Sequence, residues 1–288
     1  MIVAFSFIAG LFIGSFLNVV ADRLCREENP FTGRSACDLC GQTLKPGHLV
    51  PVVSYLLLKG KCAYCGKGVS RYYPMSELLT GASFVLAVYL SGFGASPTLL
   101  TGVQFGYLLV VFSVFIIIIL SDLKYQLIPD QVVYFGLAFV FLAQVGSLGY
   151  WLFRYHGMLQ SDALGQYLLQ GNFFKASVLH ELTSFGYNIG TGLVIALFFY
   201  LLVVLTKGRG MGGGDVKLGL LLGLVNGFPD GFVAVFLAFI IGSVVSLGLM
   251  AFSKKGLKDV VPFGPFLILG SVLSLLYGDW IVSHYLAF

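Results

Sequence analysis

Two aspartates at the ends of apolar segments are the residues of this sequence best placed to do chemistry. Asp215 closes the stretch Gly212-Gly213-Gly214-Asp215 and begins one apolar run, and Asp122 follows another, from Val110 to Leu120. An ionisable residue at membrane depth is costly and indicates function by default. Gly212 and Gly214 are the supporting residues of this motif, because glycine takes backbone conformations that other residues avoid. Taken alone, Asp215 could equally be a helix N-cap after a turn.

A pair of carboxylates brought to one place can hydrolyse a peptide bond. Two close carboxylates cannot both ionise easily, so one of them keeps a proton. The ionised group then acts as base on a water, and the protonated group acts as acid on the scissile bond. We therefore predict Asp122 and Asp215 as the catalytic pair. Lys124 and Lys217 each follow an aspartate by two residues and either tune this pair or simply anchor the helix ends at the cytoplasmic face.

Four cysteines form two CxxC pairs, a pattern typical of a tetrahedral zinc site. The ligands would be Cys37 and Cys40 with Cys62 and Cys65, and a glycine follows each pair. Disulfides are the alternative, which a cytoplasmic location disfavours. Four thiolates leave no open coordination position, so the zinc would be structural, and the small segment 23–71 needs such support. The fifth cysteine, Cys25, is interpreted as a buried apolar-type residue.

The composition indicates an integral membrane protein. Of the 288 residues, 58% are hydrophobic and only 10% are charged, a balance that a soluble domain rarely tolerates. The 37 glycines suit close packing between membrane helices. The net charge of +4 reflects basic loops on one side of a membrane and does not indicate a nucleic-acid partner.

The sequence predicts an all-α polytopic protein with about eight transmembrane helices and a small cytoplasmic zinc module between helices one and two. We expect three regions: a first transmembrane helix at 1–22, retained rather than cleaved as a signal peptide, the zinc module at 23–71 and a helical bundle at 72–288. The segment 150–186 is expected to be a mixed loop, either a helix lying on the outer membrane surface or a plain connection. The predicted helices are 2–22, 72–91, 102–121, 131–149, 187–206, 215–228, 231–252 and 261–283.

The distribution of lysine and arginine predicts the orientation. With the cysteine segment in the cytoplasm and eight crossings, all of the 17 basic residues except Arg154 and Lys175 lie on the cytoplasmic side. This count includes Arg209 and the lysines at 254–258, and it favours a full crossing of the short sixth helix over a re-entrant one. Asp122 and Asp215 then both lie at cytoplasmic helix ends.

Taken together, these motifs resemble those of the type IV prepilin peptidase family, the prepilin leader peptidase/N-methyltransferases. The resemblance covers most of the chain. The matching pieces are the two CxxC pairs, the GxGD stretch, Gly14-Ser15-Phe16-Leu17-Asn18-Val19-Val20, Pro51-Val52-Val53-Ser54-Tyr55-Leu56, Tyr73-Pro74-Met75-Ser76-Glu77-Leu78-Leu79-Thr80-Gly81, Ser121-Asp122, Leu127-Ile128-Pro129-Asp130 and Pro262-Phe263-Gly264-Pro265-Phe266.

The resemblance implies a GxGD-type aspartic protease of the bacterial cytoplasmic membrane. Such an enzyme cuts the basic leader from type IV prepilins or type II secretion pseudopilins after a glycine, with Asp122 and Asp215 as its catalytic residues. It also implies N-methylation of the new N-terminus by S-adenosylmethionine, associated with the cysteine segment. Asn18 and Glu77 are candidates for that second site, or are interhelical hydrogen-bond partners. The segment 46–51 lacks the asparagine expected in the family.

Two other functions would fit parts of the sequence. One is a GxGD protease without methyltransferase activity, which would leave the cysteine module without an evident role. The other is a non-enzymatic zinc-binding membrane scaffold or transporter, in which both aspartates are structural or form a proton relay.

Overall fold

The computed structural model describes residues 1–37, 39–160, 166, 168, 172–208, 210–251 and 261–286. Within these ranges the chain is almost wholly helical, and its only extended pairing is two isolated β-bridges. The short turns are a 3₁₀ turn at Pro46–His48 and a π turn at Val282–Leu286. The α-helices are α1 Ile2–Cys25, α2 Val53–Leu57, α3 Tyr72–Leu90, α4 Leu99–Tyr125, α5 Asp130–Gln160, α6 Asn172–Leu205, α7 Gly213–Asn226, α8 Asp230–Ala251 and α9 Gly264–Ile281.

The predicted all-α membrane architecture is confirmed, including a cysteine module between the first two long helices. Among the described residues, six helices are long and apolar enough to cross a membrane: α1, α4, α5, α6, α8 and α9. The predicted count of eight crossings is not confirmed, because α3 and α7 are not among the six. The 14 residues of α7 rise only about 21 Å, which is less than the roughly 30 Å hydrocarbon core.

The prediction of a mixed loop at 150–186 is wrong for the described residues of that segment. Helix α5 continues through this segment to Gln160, and α6 already begins at Asn172. Aromatic contacts support both extensions: the rings of Trp151 and Tyr155 stack at 4.8 Å, and Tyr155 stacks on Phe174 at 5.9 Å. Parts of the expected loop, with Arg209 and the lysines at 254–258, lie outside the described residues.

The chain divides into two compact units, Met1–Val132 and Val133–Phe288. In the first unit, α1 packs on α3 through small residues. A Cβ added at Gly10 would lie 2.7 Å from the Cα of Gly81, and one at Gly14 would lie 2.8 Å from the hydroxyl of Thr80. Glycine is required at these two positions of α1 because the backbones approach so closely.

In the second unit, the short helix α7 packs against α6, α8 and α9. Its apolar residues Leu218, Leu221 and Leu222 are fully buried. Close approach to α6 depends on glycine again, since a Cβ on Gly219 would lie 2.5 Å from the ring of Phe199. Burial among longer helices explains how a helix too short to span lipid alone is accommodated.

Candidate functional site

Asp122 lies in the last turn of α4, whereas the sequence placed it just after a helix. Its side chain is 6% exposed, and the neighbouring Ser121 is fully buried with its hydroxyl donating to the carbonyl of Ile117 at 2.8 Å. The helix ends when Gln126 adopts a left-handed conformation, with φ 53°, and its N–H donates to the carbonyl of Asp122. A buried carboxylate at this end is costly, because a helix C-terminus offers carbonyl groups rather than N–H donors.

Lys124, predicted to support catalysis, pairs with a residue that sequence reasoning missed. Its Nζ lies 2.7 Å and 2.9 Å from the two carboxylate oxygens of Asp22 on α1. The hydroxyl of Tyr125 also donates to Asp22, at 3.1 Å. The ammonium group lies 5.3–5.8 Å from the ring centroids of Tyr72, Tyr73 and Tyr125. This cluster fixes the end of α4, one turn from Asp122, against α1 and α3.

A further hydrogen bond ties α3 to the same turn. The hydroxyl of Tyr72 donates to the carbonyl of Leu120 at 2.8 Å. Asp22 and Lys124 are 102 residues apart in the chain, and no local motif marks either as the other's partner. Only the packing of α1 on α4 could have revealed the pair.

Asp215 lies in the first turn of α7 and is 9% exposed. Its Oδ2 accepts the N–H of the N-cap residue Gly212 at 3.2 Å, so the side chain caps its own helix. The sequence allowed Asp215 to be the N-cap itself, whereas the structure has Gly212 at the N-cap and Asp215 three residues later. The contact is compatible with catalysis because the other lone pairs are not consumed by it. The unusual backbone conformation expected of these glycines is not found at Gly212, which is extended with φ −86°, and a Cβ added at Gly213 would meet nothing within 4 Å.

Two other charged residues near the aspartates have distinct surroundings. The Nζ of Lys217 lies 5.2 Å from the ring centroid of Tyr134, a cation–π contact within the second unit. Asp130 begins α5, directly after Pro129, and it is exposed. The burial of Asp122 and Asp215 therefore sets them apart from this third aspartate.

The two cysteine pairs form equivalent turns. In the first, the N–H of Cys37 donates to Gln42 and that of Gly41 donates back to Cys37. In the second, the N–H of Cys62 donates to the carbonyl of Lys67, and the N–H of Gly66 donates to the carbonyl of Cys62. Gly41 and Gly66 share a φ of 68°, a left-handed conformation that favours glycine. The repeated geometry presents the sulfurs of both turns to one point.

The four sulfurs fit a tetrahedral metal. They lie within 4.8 Å of one another, and a Zn–S distance of about 2.3 Å requires sulfurs about 3.8 Å apart. All five cysteines in the chain are free thiols, so the disulfide alternative is not what the structure shows. The backbone N–H groups of Cys65 and Tyr64 donate toward Cys62 and lower the pKa of that thiol to about 6.

Glu77 connects α3 to the cysteine module. Its carboxylate is 8% exposed and accepts the N–H of Val52 at 2.8 Å, together with a hydrogen bond from Ser15. Val52 has a φ of 61°, which is rare for a β-branched residue, and the N–H of Val53 bonds back to Pro51 around it. The carboxylate therefore holds a strained turn that starts α2.

Asn18 takes the interhelical role that the sequence left open. Its side-chain amide donates to Ser76 on α3 at 2.7 Å and to the carbonyl of Gly14 at 3.0 Å. Both Asn18 and Ser76 are buried. Asn18 and Glu77 thus lie on facing helices within the first unit, at the end next to the cysteine module.

The predicted site residues fall into three groups. Asp122, Lys124, Asn18 and Glu77 belong to the first unit, while Asp215, Lys217 and the glycine motif belong to the second. The third group is the cysteine cluster.

Comparison with known proteins gives matches along nearly the whole chain. Residues 8–91 match the Bacterial Peptidase A24 N-terminal domain, and residues 109–247 match the Type IV leader peptidase family. Three similar proteins are named Prepilin leader peptidase/N-methyltransferase. The protein of Bacillus subtilis is 30% identical, covering 97% of this chain and 96% of its own. Those of Pseudomonas aeruginosa and Dichelobacter nodosus are each 29% identical, covering 97% and 94% of this chain and 91% of their own. No solved structure matches.

Proposed function

Because the chain belongs to the type IV leader peptidase family and is a prepilin peptidase, we propose that it removes the leader of type IV prepilins or type II secretion pseudopilins through Asp122 and Asp215. The observation that carries the proposal is the family match over 109–247, which contains both aspartates. Their burial at the ends of two apolar helices supports it. The substrate is bound through its leader and the apolar segment that follows.

Peptide hydrolysis by this pair needs one ionised and one protonated carboxyl group. The ionised aspartate takes a proton from water as the water oxygen attacks the scissile carbonyl carbon. The protonated aspartate gives its proton to the leaving nitrogen when the C–N bond breaks. The products are a leader with a new carboxylate and a pilin with a new amino terminus.

The positions of the two residues on their helices suggest which one plays each role. Asp215, in the first turn of α7, is near unsatisfied N–H groups that stabilise a negative charge. Asp122, in the last turn of α4, is near carbonyl groups that do not. We therefore assign the base to Asp215 and the acid to Asp122.

Methylation of the new amino terminus is the second proposed activity, and it follows the names of the relatives. S-adenosylmethionine supplies the methyl group when bound. Glu77 offers a buried carboxylate that the Ser15 side chain hydrogen-bonds, and its oxygens can accept hydrogen bonds from the amine and hydroxyl groups of the methyl donor. Glu77 would hold the methyl donor, and Asn18 would keep the facing helix in place through Ser76.

The cysteine cluster would hold one structural zinc ion through Cys37, Cys40, Cys62 and Cys65. Four sulfur ligands saturate the ion, so it takes no part in either reaction and stabilises the module instead. The proposed orientation places the module and both aspartates on the cytoplasmic side of the cytoplasmic membrane.

Product masses from one substrate test both activities. The purified chain in lipid vesicles is incubated with a prepilin-type peptide, with and without S-adenosylmethionine. We expect the cleaved product in both reactions and a product heavier by one methyl group only with the methyl donor. Cleavage without methylation would favour the protease that lacks the second activity, and no cleavage would favour the non-enzymatic scaffold.

A further inference from the structure

The cysteine module exposes large apolar side chains in two places. Phe31, in the segment after α1, is 79% exposed, and Leu57, at the end of α2, is 78% exposed. Val53 and Leu56 on α2 are also exposed. These four residues form the apolar rim of the module. A module surrounded by water would not present such a surface without a partner.

The α2 part of the rim starts at membrane depth. Val52, which precedes α2, donates to the carboxylate of Glu77 at 2.8 Å. Glu77 lies about 9 Å along α3 from Arg71, at 1.5 Å per residue. Arg71 is the residue before that helix, and the predicted crossing of α3 places it at headgroup level. Helix α2 therefore begins below the headgroups rather than in the water above them.

Phe31 reaches a similar depth by a separate route. Its ring centroid lies 6.5 Å from that of Phe16 on α1, and Phe16 lies about 10 Å along α1 from Arg23. The guanidinium of Arg23 donates to the carbonyls of Pro30 and Thr32, which folds the segment back alongside its own helix. The hydrogen bond from Val52 to Glu77 and the ring contact of Phe31 with Phe16 thus place both parts of the rim at a similar depth.

The charge of the module suits an anionic surface. Residues 23–71 contain eight lysines and arginines and three acidic residues. Basic residues near a bilayer of anionic lipid are attracted to its negatively charged surface. Apolar side chains that enter the boundary by about 5–10 Å, beside basic residues, are the pattern of an interfacial segment.

We propose that the cysteine module is a monotopic membrane element, whose apolar rim inserts into the acyl boundary of an anionic phospholipid bilayer. Helix α3 has an exposed apolar surface of its own next to Glu77, formed by Met75, Leu78 and Leu79, and lipid would cover this surface together with the rim. Lipid fits the rim better than the apolar segment of a peptide substrate, because the two parts of the rim share a depth with that lipid-facing surface. The module would thus be held against the membrane at two points besides its covalent links to α1 and α3.

Tryptophan fluorescence in vesicles tests the proposal on the full chain. Trp151 and Trp280, the two tryptophans of the chain, are replaced by phenylalanine, and one tryptophan is introduced by Leu57→Trp or Phe31→Trp. Vesicles contain phosphatidylglycerol and a phosphatidylcholine brominated in the acyl chain. We expect brominated lipid to remove most of the emission from both variants, to the same degree as from Met75→Trp on α3.

Gln42→Trp, at an exposed site in the first cysteine turn, is the matched control. Its emission should resist brominated lipid and be quenched by acrylamide in the water. Leader cleavage by each variant shows that it is folded. The proposal is overturned if Leu57→Trp and Phe31→Trp behave like the control. It is also overturned if they respond only when a pilin-type peptide is added, which would identify the rim as a substrate surface.

Discussion

The end of α4 is held by charged and aromatic side chains that come from three helices. Asp22 on α1 pairs with Lys124, and both side chains are only partly exposed, at 16% and 29%. The stabilisation that such a pair provides lies between two limits. An exposed ion pair contributes roughly 1 kcal/mol or less, and disruption of a buried pair costs roughly 3 kcal/mol or more. Asp122, two residues before Lys124, depends on this arrangement for its position, so Asp22 is a positioning residue rather than a catalytic one.

Replacing Asp22 by asparagine should therefore weaken the protein and its peptidase activity together. We expect a loss of about 1–2 kcal/mol in stability and a fall in kcat of up to about tenfold, with KM little changed. Thermal unfolding in detergent and leader-cleavage kinetics measure the two effects. Asp22→Glu, which keeps the charge, should recover most of both. Normal stability and kcat in Asp22→Asn would show that the pair does not position α4.

Glu77 should matter more for methylation than for cleavage. In Glu77→Ala the N–H of Val52 loses its partner, and the strained turn before α2 is released. Loss of a charged hydrogen-bond partner lowers the free energy of unfolding by about 1.5–3 kcal/mol. Rates of methylation of a pre-cleaved pilin peptide and of leader cleavage, measured on the same preparation, test this. Glu77→Gln, which still accepts a hydrogen bond, should lie between wild type and alanine. An equal loss of both activities would show that Glu77 serves the fold as a whole.

Sequence reasoning identified the residues that carry local signals and missed those defined only by packing. Asp122, Asp215 and the four cysteines stand in short motifs, and each lies where a helix end or tight turn presents it. Asp22 and Tyr125 carry no such signal, because their roles depend on α1 meeting α4. The link from Glu77 to Val52 was missed for the same reason, since it spans 25 residues and ends on a backbone N–H.

At the scale of helices, the sequence predicted the order of eight helices but not where α5 ends or where α6 begins. Charged and polar residues at 150–160 and 172–186 suggested a loop outside the membrane. In the structure α5 and α6 continue through them, because aromatic side chains at 151, 155 and 174 pack against one another and no proline interrupts either helix. Hydropathy marks where a helix leaves lipid, whereas the helix itself ends only where its hydrogen bonding stops.

Close packing of α7 on α6 should be sensitive to a single methyl group. A Cβ on Gly223 would collide with the backbone of Gly192. We therefore expect Gly223→Ala to destabilise the protein by about 1–3 kcal/mol through overpacking, and to reduce cleavage because α7 carries Asp215. Gly190→Ala on α6 is the control, since its Cβ would meet nothing within 4 Å; this change should be neutral or slightly stabilising. Equal melting temperatures for both variants in detergent would contradict the packing seen between α6 and α7.

The cysteine module should contain one zinc ion per chain. Elemental analysis of the purified protein should give one equivalent, and Cys62→Ser should lose it, because three sulfurs with a hydroxyl bind zinc less well. Cys25→Ser removes the cysteine outside the cluster and should retain the metal. A protein without metal that remains fully active and folded would contradict a structural role for zinc.

At the scale of the whole molecule, the short helix α7 decides the topology. With α3 crossing as the sequence predicts, a crossing α7 gives the chain an even number of crossings, and residue 288 then lies on the same side as residue 1. If α7 is re-entrant, the two lie on opposite sides. We expect a full crossing, because the alternative would place the lysines at 254–258 outside. Alkaline phosphatase fused after residue 288 should then be active and a fluorescent protein fused there should be dark, and the reverse result would show a re-entrant α7.

The central claim is that Asp122 and Asp215 together perform leader cleavage, and asparagine substitution measures it most directly. Mass spectrometry follows cleavage of a prepilin-type peptide by Asp122→Asn, Asp215→Asn and the exposed control Asp130→Asn, all in lipid vesicles and matched for folding by thermal unfolding. We expect the first two to lose at least about 1,000-fold in rate, equivalent to about 4 kcal/mol of transition-state stabilisation, and Asp130→Asn to cleave nearly as well as wild type. Substantial cleavage by a folded Asp122→Asn or Asp215→Asn protein, or an equal loss in Asp130→Asn, would contradict the account.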